Sequence, residues 1–307
     1  MPDHKQVLRG SVAIILACLL WGTTGTAASF TPNVSPLASG AFAMGIGGVL
    51  LVISAFRCLK IDKAKLLSNY KLLVVGGMSV AVYPLAFYSS MRLSGVAIGT
   101  VISLASAPFF TVLLECLISK KNIAAKWFIS FSVGVAGIVL LSMGKVEDST
   151  QHSSLLQHYL GILLGLVAGL SYALYSWAAK CLISQEIHSK SAMSALFGLA
   201  ACILLPSLLF TADNLFATTS NTAVALYMAI IPMFLGYILF GYGLNYIEAS
   251  QATLLTMLEP ALATVLAVVI VGEKFTAIGW IGITLILLCL LIQMTYKAAV
   301  PVTPAVT

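Results

Sequence analysis

The sequence predicts an all-α membrane protein with ten transmembrane helices in two inverted five-helix repeats. Extreme apolarity, ten unbroken apolar runs and a one-sided distribution of Lys and Arg carry that reading. Of the 307 residues, 60% are hydrophobic and only 8% charged, with a mean hydropathy of +1.03. Ordinary soluble domains carry about a quarter charged residues. A bilayer-spanning helix takes about 20 mainly apolar residues, so the chain holds about ten spans and little else. A net charge of +6 would suggest nucleic acid for a soluble protein. Here its placement reports topology, and no nucleic-acid partner is expected.

In order, the runs lie near 10–30, 37–57, 71–92, 95–118, 125–143, 159–180, 190–211, 223–246, 250–271 and 277–297. Helix stoppers and charges separate them: Thr31-Pro32-Asn33, Arg57 to Lys65, Ser94-Gly95, Lys120-Lys121-Asn122 and Lys145 to His158 in the first half. Ser184 to Lys190, Asp213 to Thr222, Glu248-Ala249-Ser250 and Gly272-Glu273-Lys274 follow in the second. Barrel strands would alternate over short segments, whereas these runs are continuously apolar. In lipid each backbone polar group must be bonded within its own segment, which leaves an α-helical bundle.

Positive charge sets the orientation. With a cytoplasmic N-terminus, 13 of the 16 Lys and Arg fall on the inner side, and only Arg92, Lys145 and Lys274 fall outside. Both termini are therefore expected in the cytoplasm. Lys5 and Arg9 before the apolar stretch from Val12 imitate a signal peptide, but the internal repeat requires that segment to stay. Cys18, Cys58, Cys116, Cys181, Cys202 and Cys289 are scattered without a CxxC pair, so neither a zinc site nor a disulfide framework is expected.

At an offset of about 151 residues, Gly10 falls on Gly161, Ala17 on Ala168 and Trp21 on Tyr172. One residue further, Ala97 meets Ala249, Pro108 meets Pro260 and Trp127 lies beside Trp280. Five spans per half is an odd number, so the second half enters the membrane upside down, a recurrent transporter design with its site near the midplane. The expected division is a first repeat over 1–146, a connecting loop over 147–158, a second repeat over 159–297 and a tail over 298–307.

Leu20-Trp21-Gly22 in the first span, Gly95-Val96-Ala97 leading to Pro108, and Leu258-Glu259-Pro260 followed by Gly272-Glu273-Lys274 form an ordered set. On these motifs, over about residues 10–297, the sequence resembles the drug/metabolite transporter superfamily, specifically its ten-helix EamA family. It departs where Lys121 stands at the position matching Glu273. The resemblance implies a secondary transporter of a bacterial inner membrane that exports small metabolites, amino acids and their derivatives first. It also implies a central cavity lined by the first, third, fourth, sixth, eighth and ninth spans. Four-helix drug-exporting relatives use a glutamate in their first helix as cation site. Neither the first nor the sixth span here contains an acid, so that mechanism is not expected.

Two carboxylates lie inside apolar runs. Glu115, near the inner end of the fourth span, can reach the interface or pair with Lys120 or Lys121. Glu259 is about nine residues into the ninth span, roughly 14 Å deep in a core about 30 Å thick. Ionised and facing lipid, it would cost at least about 2.5 kcal/mol, so it should face the bundle interior or stay protonated. Pro260 follows, leaving the Thr256 carbonyl without its usual partner. Glu259 is therefore either a site for an amine or coupling proton, or a structural group at the kink.

The candidate substrate-binding set is Trp21, Thr24, Tyr83, Phe87, Ser103, Ser106, Tyr172, Tyr175, Tyr237, Thr256 and Glu259. Aromatic walls with a few hydroxyls suit a compact ligand with apolar and polar parts, although any one of them could equally serve helix packing. Pro84, Pro108, Pro206, Pro232 and Pro260 interrupt spans as hinges or static kinks. No GxxxxGK[ST] loop supplies ATP chemistry, and His4, His152, His158 and His188 sit in tails and loops. No catalytic residue, metal site or cofactor is expected. The expected partners are a small-molecule substrate, the lipid bilayer and protons as coupling ion. A lipid-modifying enzyme and a non-transporting membrane protein stand as alternatives.

Overall fold

The computed structural model describes residues 4–144, 155–272, 274 and 276–294. Lys145, His152, Glu273, Lys297 and the expected tail lie outside the described residues. Among the described residues, ten helices are long and apolar enough to cross a membrane: Lys5–Ser29, Pro36–Ser54, Tyr70–Ser94, Ile98–Leu117, Ala125–Met143, Leu155–Ser184, Ser189–Thr211, Thr219–Leu244, Ala249–Val271 and Ala277–Met294. These are the ten runs expected. The sixth begins at Leu155, inside the stretch assigned to the connecting loop. Apolar side chains stay exposed around the perimeter, Leu209 and Phe210 at 85% and 87% among them, as a lipid-facing surface requires.

One further helix, Phe56–Ser68, occupies the stretch assigned to a simple break. Its basic residues interrupt the hydropathy but not the helix. Arg57, Lys60 and Lys63 remain exposed, while Asp62 and Leu66 are buried. Asp62 accepts a hydrogen bond from the His188 N–H at 3.1 Å.

The third span packs on the sixth and the first on the eighth; the fourth packs on the sixth and the first on the ninth. The second pairs with the seventh, the fifth with the tenth, and the fourth touches the ninth. Exchanging each span with the one five later maps these pairings onto themselves, a pattern consistent with two related five-helix units. Close approach of the fifth and tenth spans depends on glycine: a Cβ on Gly282 would lie 2.4 Å from the Leu141 nitrogen, and one on Gly144 2.2 Å from the Gly279 Cα.

Loop contacts confirm that the chain alternates between two ends. Lys65 with Glu186, Lys121 with Glu248, and Asn245 with Ser189 gather at one end, here termed the basic end. Asn214 donates to the Asn33 carbonyl at 3.2 Å and the Thr276 N–H to the Gly144 carbonyl at 3.0 Å at the other.

Pro84, Pro108 and Pro206 lie within continuous helices. The eighth span instead widens into a π-helix over Ala229–Leu235 around Pro232. The ninth is broken, with α-helix over Ala249–Leu255 and again over Leu258–Leu266. Pro260 has no N–H to give the Thr256 carbonyl, and the Glu259 N–H takes its place at 3.0 Å. The expected orphan carbonyl is thus satisfied by a tighter turn.

Candidate functional site

The break in the ninth span sets Glu259 in the first turn of the segment Leu258–Leu266, half-buried and facing a cavity inside the bundle. The cavity has two joined parts. An inner chamber of about 70 Å³ lies among the first, second, third, sixth, eighth and ninth spans. An outer chamber of about 470 Å³ continues from it past Thr31, Pro32, Met91, Val96 and Ser142, all at the end opposite the basic one. Trp21, Thr24, Phe87, Tyr88, Met228 and Glu259 border both parts. Together they form one path from that end to mid-depth.

The inner walls are aromatic. Trp21 donates its indole N–H to the Pro232 carbonyl at 2.9 Å, and its ring lies 4.9 Å from that of Tyr237. The π-helix around Pro232 is where the eighth span meets this donor. Tyr237 and Tyr175 share a hydrogen bond of 3.3 Å between their hydroxyls. Tyr172 stacks on Tyr175 at 5.1 Å, and Tyr83 sits 5.4 Å from Tyr172 and 5.7 Å from Phe87. The buried Tyr172 hydroxyl lies near Thr256 and has no hydrogen-bond partner of good geometry. Met44, Met228 and Met233 complete the lining with polarisable, adaptable surface.

Of the eleven residues singled out in the sequence, Trp21, Thr24, Tyr83, Phe87, Tyr172, Tyr175, Tyr237 and Glu259 line this cavity. Ser103, Ser106 and Thr256 do not. Ser103 is fully buried and donates to the Gly99 carbonyl at 2.7 Å. Ser106 faces Gly169 of the sixth span, where a Cβ would come within 2.0 Å of its hydroxyl. Thr256 is buried and donates to the Thr253 carbonyl at 2.8 Å. Each hydroxyl is turned to its own helix, the usual way a serine or threonine is satisfied in a span.

Sequence reasoning missed the second span. Gly40, Ala43 and Met44 line the inner chamber, while the fourth contributes only Val96, Thr100 and Leu104 to the outer one. Small apolar residues give no chemical signal. The one available clue was Gly40, whose absent side chain makes room for the Tyr88 ring, 2.4 Å from where its Cβ would stand. Glu115 also differs from expectation. It is 1% exposed, away from the interface; its carboxylate accepts from the Ser250 N–H at 3.1 Å, and Lys121, which acts on it electrostatically, forms its ion pair with Glu248.

Among the described residues, the cavity walls carry one carboxylate and no lysine, arginine or histidine. A carboxylate in a cavity lined by tyrosine and tryptophan can hold an ammonium group by charge, and a ring face turned to that group adds cation–π attraction of about 0.5–2 kcal/mol.

Comparison with known proteins agrees with this architecture. A family model described as the EamA-like transporter family matches twice, over residues 8–143 and 159–295. An uncharacterized transporter of Bacillus subtilis is 32% identical over 286 residues, covering 92% of each chain. A protein of Escherichia coli named a probable amino-acid metabolite efflux pump is 24% identical over 202 residues, 61% of this chain and 63% of its own. One solved crystal structure superposes with a TM-score of 0.76 over 92% of this chain and 95% of that one, at 17% identity, which shows the shared fold. The two family matches cover the bundle that builds the cavity: the chain is an integral membrane transporter and belongs to the EamA-like transporter family.

Proposed function

We propose that the chain is a secondary active transporter that exports small amine-bearing metabolites, amino-acid derivatives foremost, by alternating access. The observation that carries the reading is the aromatic cavity that ends on Glu259 at the break of the ninth helix. A discontinuous helix at mid-depth is how many secondary transporters present a binding group. The two repeats, over 1–146 and 159–297, are joined by the segment 147–158 and followed by the tail 298–307. They are related by inversion, and exchanging their conformations exposes Glu259 to each side in turn.

The excess of Lys and Arg at the basic end supports an orientation with that end, and both termini, in the cytoplasm of a bacterial inner membrane. The cavity in this structure then opens outward. Glu259, with no basic side chain among the described residues of the cavity walls, exchanges a proton for the ammonium group of the substrate. The relative named as an amino-acid metabolite efflux pump supports the substrate class. Without a basic wall residue to take a carboxylate, derivatives whose carboxyl is masked or lost fit better than free zwitterions. A lipid-modifying enzyme would draw on a second titratable group near Glu259, and among the described lining residues these are tyrosines.

The test is a panel of free amino acids, their amides and esters, and the corresponding amines. Accumulation is measured in cells with and without the protein at two external pH values. Lower accumulation of the amine-bearing, carboxylate-free members, with a pH-dependent difference, supports the assignment. Equal accumulation of every member in both strains rejects it.

A further inference from the structure

Opposite the cavity mouth, the bundle is shut by a cluster of charged and polar groups that belongs to neither chamber. Glu115, in the last turn of the fourth span, is 1% exposed, and only one of its oxygens is bonded, to the N–H of Ser250 at 3.1 Å. The turn after this span brings Lys121 back across it: the Lys121 N–H donates to the Glu115 carbonyl at 2.9 Å, and Lys120 takes the left-handed conformation, φ 52°. Lys121 is thereby held against Glu248, with which it forms an ion pair across the two repeats. Trp177 of the sixth span donates to the Ser119 hydroxyl at 2.9 Å, and Lys180 donates to the Leu244 carbonyl at 2.8 Å.

These contacts join the inner end of the fourth span to the start of the ninth. The exchange that relates the repeats would bring the outer end of the ninth span to the start of the fourth in the same way. In this structure the packing is one-sided: the fourth span contacts Ala249–Leu255 of the ninth, and the segment that follows borders a chamber instead. Val96, Thr100 and Leu104 of the fourth span, and Pro260, Ala263 and Thr264 of the ninth, line the outer chamber together. One crossing of the pair is packed and joined by charge, while the other side of the pair borders the outer chamber.

From this asymmetry we infer that Glu115, Lys121 and Glu248 form the inner gate of the transport cycle, a polar latch that must part before the cavity opens to the basic side. The inference rests on the alternating-access reading. Glu115 acts as a positioning residue: it fixes the N-terminus of the ninth span and, through its carbonyl, the turn that carries Lys121. Lys180 and Cys181 stand within electrostatic reach of the same cluster.

The test uses full-length protein in membrane vesicles of both orientations, with its native cysteines replaced and one reporter cysteine added. Thr253→Cys reports the inner side, because Thr253 is 1% exposed between the latch and Glu259. Ser39→Cys reports the outer chamber. The probe is a membrane-impermeant maleimide. Lys121→Gln, Glu248→Gln and Glu115→Ala are each expected to raise the labelling rate of the inner reporter from the basic side about three- to tenfold and to lower that of the outer one. Lys121→Glu combined with Glu248→Lys restores the parental rates, which general loosening of the fold would not do.

If the parent labels slowly at the inner reporter and the variants label no faster, the latch is wrong and alternating access stands. If the inner reporter stays unlabelled from the basic side in the parent and in every variant, while the outer reporter reacts, both fall.

Discussion

Trp21 and Gly236 meet in a contact whose energetics can be worked from both sides. A Cβ on Gly236 would lie 2.6 Å from the indole nitrogen, where ordinary contact begins at 3.4 Å. Gly236→Ala therefore requires the ring to withdraw by about 0.8 Å. It has little freedom to do so, since Nε1 is bonded to the Pro232 carbonyl at 2.9 Å and Tyr237 and Phe240 stand 4.9 and 5.6 Å away. Overpacking of this kind costs about 1–3 kcal/mol, and stretching the bond about 1 kcal/mol more.

Trp21→Phe removes the hydrogen bond and leaves space, at about 2 kcal/mol. In the double variant the smaller ring makes room for the methyl group, so the two costs do not add. The double variant should be at least about 1 kcal/mol more stable than the sum of the single effects. Unfolding in detergent micelles, read as a free energy or as the shift in Tm, measures this. Additive losses would show that the indole is not wedged between Gly236 and Pro232, and the fixed aromatic wall would lose its basis.

Three other perturbations follow from the geometry. Tyr172→Phe should leave Tm unchanged or slightly raised, because the hydroxyl has no good partner, while raising the transport KM about fivefold if that hydroxyl serves the substrate; an unchanged KM would remove it from the site. Ser103→Ala and Ser106→Ala should keep transport within about twofold of the parent, since both hydroxyls bond their own helix; a large transport defect would return them to the cavity. Gly282→Ala should cost about 1–3 kcal/mol by forcing the fifth and tenth spans apart, with transport per folded molecule preserved; unaltered stability would contradict the close backbone approach.

What could be read from the sequence divides along a physical line. Depth along a span is encoded by counting residues from a charged break, which sets Glu259 at the level of Trp21 and Tyr237, and the three line one chamber. Direction around the helix is not encoded that way. Ser103 and Ser106 have suitable depth but turn toward their own backbone and the sixth span. The break at Pro260 was visible because proline removes a known donor, whereas no local signal separates Pro232, inside a π-helix, from Pro84, Pro108 and Pro206, inside continuous helices. The helix Phe56–Ser68 was hidden by the basic residues that make it a surface element. Lining by Gly40 and Met44 was invisible because chambers are shaped as much by small and apolar residues as by polar ones. For Glu115 the sequence offers the interface or a lysine. Its partner is instead a backbone N–H from the other repeat, a contact no local pattern reports.

The proposed role of Glu259 as the exchange point between proton and substrate is tested by transport in proteoliposomes, comparing the parent protein with Glu259→Gln under an imposed pH gradient. The substrate is the amine identified by the panel. Gln keeps the size of the side chain but carries neither the charge nor an exchangeable carboxyl proton. The variant should fold, with Tm close to the parent's, and lose both gradient-driven accumulation and its dependence on pH. Undiminished accumulation with the parent's pH profile would contradict the assignment and leave the cavity without its charged centre.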